Sequence, residues 1–147
     1  VKRLLQLIFN FWLPEKMITP FEIHVLNYHL DGYGHVNNAR YLEFLEAARW
    51  DFFRQHQLLK ALRQINLVVA QINIRYRHAA QLDDVLIVQT QLVSVQSRQI
   101  ILHQQITNGQ YICVRAEVTL MPTNQNGNVF RLPENVLQSF SKIMETI

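Results

Sequence analysis

Apolar and polar positions change their period several times along this chain, and each change marks an element. From Phe21, "FEIHV" alternates apolar with polar side chains, which predicts a half-buried strand running up to Asp31. The glycines of "DGYG" break it there. From about Asn38 to Arg54 the period becomes helical, and Asn37 or Asn38 can cap the helix by accepting from the unsatisfied amides of its first turn. On that helix Arg40, Glu43, Ala47, Asp51 and Arg54 form one narrow polar stripe. Tyr41, Leu42, Phe44, Leu45, Ala48, Trp50, Phe52 and Phe53 cover most of the remaining circumference, so the helix is expected to be largely surrounded by protein. Two charges, Glu46 and Arg49, interrupt the apolar side. They are three residues apart and are expected to pair internally, as buried charges require partners.

After a loop or short helical segment (56–66), strands dominate: "LVVAQINIRYRH", "DVLIVQTQLVSV", "RQIILHQQIT" and "QYICVRAEVTLMP". "NGQ" at 108–110 predicts a type I′ hairpin turn, since Asn-Gly readily takes positive φ angles. Alternation in the last strand puts Ile112, Val114, Ala116, Val118 and Leu120 on one face and Cys113, Arg115, Glu117 and Thr119 on the other. "NQNGN" reads as a turn, and "PENVLQSFSKIMETI" as a peripheral C-terminal helix with Pro133 near its start. Strand, long helix, four meandering strands and a final helix make an α+β fold, a curved antiparallel sheet around a single helix. Such a small layer pair leaves sheet edges and faces uncovered, which predicts a homodimer.

The remaining features narrow the class. The chain has 147 residues, enough for one domain, expected over 17–147. "VKRLLQLIFNFWLPEK" (1–16) has an apolar run too short to span a bilayer and no small-residue cleavage site. It is expected to be a peripheral N-terminal helix, with Met17 a sensible initiator. Net charge is +3, but the basic residues are scattered, with "RYRH" at 75–78 the densest group, so nucleic acid is not an expected partner. The single cysteine, Cys113, excludes an intrachain disulfide and a cysteine metal site; it reads as a packed strand residue in a reducing cytoplasmic protein.

The chemistry concentrates in "HLDGYGHVNNARYLEF" (29–44). Asp31 ends a strand, Gly32 and Gly34 permit close backbone approach, and a buried helix follows. A helix N-terminus offers free amides and a positive dipole end that can hold a carbonyl oxygen as it becomes negative. A carboxylate nearby can attack a carbonyl or activate water. Together these suit hydrolysis of an activated acyl group. His35 could serve as acid or base or fix the loop, and Asn37 and Asn38 could orient water or substrate or simply cap. On spacing alone, a glycine turn followed by a capped helix is the simpler reading.

"YHLDGYGHVNNARYLEFLEAARWDFF", together with "INIRYRHAAQLDD" and the order of elements, resembles the hotdog-fold acyl thioesterases over roughly residues 20–122. This is the 4-hydroxybenzoyl-CoA thioesterase-like superfamily, and the bacterial long-chain acyl-CoA subgroup is the most similar. The resemblance implies a sheet of about five strands wrapped around one central helix, with dimers or tetramers whose sites lie at subunit interfaces. It implies hydrolysis of medium- or long-chain acyl-CoA, with Asp31 as nucleophile or general base. His35, Asn37 and Asn38 match the motif's polar positions, and Gly34, Tyr41 and the amides opening the helix would hold substrate or oxyanion. Glu46 corresponds to a carboxylate used in other branches, although its pairing with Arg49 is the favoured reading. Arg75 and Arg77 would either meet CoA phosphates or form a solvated patch. No metal or cofactor is implied beyond the CoA of the substrate. Acyl carrier protein is a less favoured donor, and a non-catalytic acyl-CoA-binding module a further alternative. Tyr33 stands where plant-type members commonly have Asn, which favours the bacterial pattern.

Overall fold

Five segments of alternating side chains become strands, and the computed structural model, which describes residues 18–145, joins them in one antiparallel sheet. They are β1 (Phe21–His24), β2 (Asn66–Tyr76), β3 (Val85–Gln96), β4 (Gln99–Thr107) and β5 (Ile112–Thr123). Helix α1 is Asn38–Gln55, α2 the single turn Leu59–Leu62, and α3 Glu134–Glu145. The expectations for residues 1–16 and for Met17 lie outside the described residues.

The sheet order is β1-β3-β4-β5-β2, curled against α1. Strands β3 to β5 form the expected meander, but β2 does not sit beside β3. It crosses to the far edge and pairs with β5 from Asn66↔Thr123 to Tyr76↔Val114. Neighbouring antiparallel strands need only a tight turn, whereas residues 77–84 form a long loop, with Asp83 at φ +67°, that carries the chain back across the sheet. Strand β1 is shorter than expected. The Leu26 amide donates to His29 Nδ1 (3.0 Å), and a 3₁₀ turn at Asn27–His29 stops the strand at His24. Leu30 rejoins extended pairing only as a bridge to Val36.

Helix α1 buries Phe44, Leu45, Ala48, Phe52 and Phe53 in the cluster that also holds Leu86, Val88, Leu102, Ile106 and Val118 of the sheet. It is less enclosed than its sequence implied, since Leu42 and Trp50 are 37% and 50% exposed on its other side. The C-terminal helix is more integrated than expected. Val136 and Phe140 are fully buried, and Phe140 meets Phe53 edge-on at 6.0 Å between centroids.

The expected Glu46–Arg49 pair does not form among the described residues. Glu46 is exposed, whereas Arg49 is buried and donates through Nη1 to Gln104 Oε1 (3.1 Å). Gln104 Nε2 donates in turn to the Leu45 carbonyl (3.0 Å) and Thr90 Oγ1 (2.9 Å). The wheel angle carried Arg49 inward, under the sheet, and left Glu46 facing solvent. Burial lowers the Arg49 pKa and Glu46 partly offsets this.

Two local expectations are also corrected. The 108–111 turn is not type I′, because only Gly109 takes positive φ (+87°). Asn108 instead accepts on its carboxamide from the Gln110 and Tyr111 amides. Cys113 does not share the exposed face of Arg115. It is the extra residue of a bulge between Ile106↔Val114 and Thr107↔Ile112, and this irregularity accompanies its complete burial.

Candidate active site

At the end of the sheet where α1 begins, loops 25–37 and 77–84 come together. Asp31 is half-buried and closes its own turn. Its amide donates to the His35 carbonyl (2.8 Å), and its Oδ1 accepts from the amides of Tyr33 (2.8 Å) and His35 (3.3 Å). One carboxylate oxygen is thus fixed by backbone donors. Oδ2 accepts no hydrogen bond among the described residues and is left for chemistry. Gly34, at φ +75°, makes the turn possible, and its amide closes onto the Asp31 carbonyl (3.1 Å). Because that amide is already used, Gly34 shapes the turn and does not offer a free oxyanion donor.

The helix start lies directly beyond. Asn37 is the cap: its side chain accepts from Ala39 N (2.9 Å), and its own amide donates to the His29 carbonyl (2.9 Å). The Arg40 amide donates to the Asn37 carbonyl (2.9 Å). Of the first three helical amides, Asn38's therefore stands without an acceptor among the described residues. It sits at the positive end of the helix dipole. Capping narrows the expected group of free amides to this one.

Bridges fix the two loops against each other. His35 pairs with Gln81, the Val36 amide donates to the Ala80 carbonyl (2.9 Å), and the Ala80 amide donates to the Tyr41 hydroxyl (2.9 Å). Tyr41 is buried, which raises its pKa, and acts as a tie between α1 and the 77–84 loop. Its hydroxyl accepts from that backbone amide. The Tyr76 hydroxyl donates to the Asn38 carbonyl (3.1 Å) and braces the first turn from the sheet. Sequence reading did not single out Tyr76. The signal was the inward row Ile72, Ile74, Tyr76 on β2, which points at the helix start.

His35 is exposed and its backbone amide, not its ring, orients Asp31. Asn38 is also exposed. His29, given no role from sequence, is buried behind Asp31 with its ring edge-on to Phe44 (5.0 Å). Burial, reinforced by Arg40, lowers its pKa. Glu46 is brought into no contact with Asp31. Arg75 lies opposite Arg115 on the outer face of the sheet, while Tyr76 between Arg75 and Arg77 faces the helix. His78 stacks on Tyr111 at 4.0 Å beside these residues. Among the described residues, no group of three or more His, Cys, Asp or Glu could hold a metal ion, and no helix is long and apolar enough to cross a membrane.

The thioesterase-like superfamily matches residues 25–140, which take in the Asp31 turn, α1 and strands β2 to β5. The chain belongs to that family. Long-chain acyl-CoA thioesterase FadM of Escherichia coli K12 is 48% identical over 88 residues, which cover 58% of this chain and 67% of that protein. Acyl-CoA thioesterase YbgC of Haemophilus influenzae is 33% identical over 102 residues, 67% of this chain and 75% of the relative. Among solved structures, the probable thioesterase YbaW of Escherichia coli superposes with a TM-score of 0.73 at 34% identity, covering 85% of this chain and 98% of the other. The hotdog fold and the thioester-hydrolase class, both expected from "HLDGYGHVNNARYLEF" and its surroundings, are borne out.

Proposed function

We propose that this thioesterase-family chain hydrolyses medium- or long-chain fatty acyl-CoA in the cytoplasm. It does so as a homodimer or homotetramer with its sites at subunit interfaces. The observation that carries the reading is the Asp31 turn. Backbone amides hold one carboxylate oxygen, the other is left open, and the unpaired Asn38 amide stands at the start of the helix that follows. The FadM and YbgC matches supply the substrate class.

The thioester carbonyl oxygen accepts from Asn38 N–H, which stabilises negative charge as the carbonyl carbon becomes tetrahedral. Asp31 either removes a proton from water as it attacks or attacks directly, giving an acyl–Asp31 anhydride that water then cleaves. In both routes the C–S bond breaks and CoA leaves as thiolate, an easy leaving group because thiols ionise near pH 8.5. The products are fatty acid and CoA, and the scheme calls on no cofactor. Asn37 caps the helix that presents the amide, and His35 steadies Asp31. Arg75 and Arg77 would meet CoA phosphates, since Arg pairs well with phosphate and both stand at the strand end that carries Tyr76.

Two features support assembly. Tyr33 is 88% exposed beside Asp31, and among the described residues β2 is an unpaired edge with Val68 and Val69 exposed. The test is thiol release across acyl-CoA chain lengths, with acyl carrier protein thioesters alongside. Asp31→Asn is expected to lower kcat by at least about a hundredfold with its fold intact. Full activity of Asp31→Asn would remove Asp31 from the mechanism, and wild type inert on every thioester would end the hydrolase reading.

A further inference from the structure

The Asp31 turn is the tip of a short backbone ladder whose base is His29. The Asn37 amide donates to the His29 carbonyl (2.9 Å), Leu30 bridges Val36, and the Asp31 amide donates to the His35 carbonyl (2.8 Å). Asp31 ends one arm of this ladder, and the Asn38 amide lies one residue beyond the other arm. The ladder therefore sets the separation of carboxylate and amide, and its attachment to the fold decides where both point.

Much of that attachment is the His29 ring. Its Nδ1 accepts from the Leu26 amide (3.0 Å), while the Leu26 carbonyl accepts from the His29 amide (3.0 Å). Leu26 follows Val25, which is fully buried and bonded to the 77–84 loop in both directions. The Val25 amide donates to the Asp84 carbonyl (2.9 Å), and the Asp83 amide donates to the Val25 carbonyl (3.1 Å). The buried ring also meets Phe44 of α1 edge-on. One imidazole thus joins the ladder to the end of β1, to the second loop and to the helix. Nδ1 accepts only while it carries no proton; protonated, it becomes a donor facing the Leu26 N–H, and the tie is lost.

We propose that His29 is a positioning residue for the hydrolysis, its unprotonated Nδ1 holding Asp31 and the Asn38 amide at their working separation. This rests on the hydrolase reading above. Being buried, the ring acts through the ladder and not on the substrate. Among the described residues, the charged groups acting on it are Arg40 and Glu43 of α1, which pair with each other at 2.9 Å. Burial, then Arg40, favour the neutral ring, and Glu43 opposes them. Tyr28 packs against the ring at 4.3 Å between centroids.

The test compares wild type with His29→Leu and His29→Asn by thiol release from lauroyl-CoA, read with a dithiodipyridine reagent that also works in acid. Leucine keeps an apolar contact with Phe44 but offers no acceptor. Its kcat is expected to fall about 10–100-fold, with KM kept within about twofold. Asparagine Oδ1 replaces Nδ1 as an acceptor that does not titrate, and should return kcat in mildly alkaline buffer to within about threefold of wild type. Wild-type kcat/KM should fall as pH drops below histidine's ordinary value of about 6.5, more steeply than one proton allows, because His29 and Asp31 both protonate. His29→Asn should keep only the single-proton step of Asp31. In NMR spectra of the unsubstituted protein, the Leu26 amide resonance should titrate together with the His29 ring. Wild-type kcat in His29→Leu, a His29→Asn variant as slow as His29→Leu, or an acid limb in His29→Asn as steep as wild type's would each overturn the proposal. So would a Leu26 amide that ignores the titration of the ring. Wild type inert on lauroyl-CoA and on every other thioester would instead end the hydrolase reading, and this inference with it.

Discussion

Replacing Gln104 by Leu should destabilise the fold through Arg49. The guanidinium is 5% exposed and has no carboxylate within ion-pair distance among the described residues. Gln104 Oε1 is its hydrogen-bonded acceptor at 3.1 Å, and Gln104 Nε2 also serves the Leu45 carbonyl and Thr90 Oγ1. Gln104→Leu keeps the volume roughly constant, so the effect is polar rather than a cavity. The lost bond to a charged donor is worth about 1.5–3 kcal/mol. The two neutral bonds add roughly 0.5–1.5 kcal/mol each, less for Leu45 because its carbonyl is also within the helix. A loss of about 3–4 kcal/mol is expected, measured by urea unfolding at fixed protein concentration. Converting both partners, Arg49→Met with Gln104→Leu, should recover most of it, to within about 1 kcal/mol of wild type, since apolar replacement of a whole buried network is often neutral. A single-variant loss below about 1 kcal/mol, or a double variant no better than the sum of the singles, would refute the idea that Gln104 holds a buried charge.

Further expectations concern the site loops and acid stability. Gly34→Ala should cost about 1–2 kcal/mol, because its φ of +75° is left-handed although a Cβ there meets nothing within 4 Å. Gly32→Ala, equally roomy and without positive φ, should be neutral or slightly stabilising, so thermal unfolding of the pair separates backbone strain from contact. Tyr41→Phe should leave the Ala80 amide unsatisfied, costing about 1–3 kcal/mol and raising that amide's hydrogen-exchange rate. Among the described residues His56 Nε2 is buried with no hydrogen-bond partner, and burial lowers its pKa, as it does for His29. The unfolded chain therefore binds protons first. Stability stands in full above histidine's ordinary value of about 6.5 and falls as pH drops below it, until the folded-state histidine also protonates. His56→Phe should flatten that slope in urea midpoints measured across pH; an unchanged slope would leave His29 as its source.

Much of this protein was legible in its residues because the information is local. The 3.6 and 2 periods marked α1 and the long strands to within a residue or two, and "GHVNNA" marked the turn and cap by turn chemistry that needs no distant partner. The motif and element order also carried the family, and with it the fold. Tertiary structure decided what depends on which segments meet. It sent β2 to the far edge of the sheet, because a long loop frees it from its sequence neighbour. It gave Arg49 to Gln104, 55 residues away, rather than to the nearby Glu46. It turned Cys113 inward through a bulge whose register exists only between paired strands. It also reduced the free amides at the helix start to Asn38's, since Asn37 and the turn around Asp31 consume the others. Periodicity reports which way a side chain points along its own element. Only packing determines what it finds there.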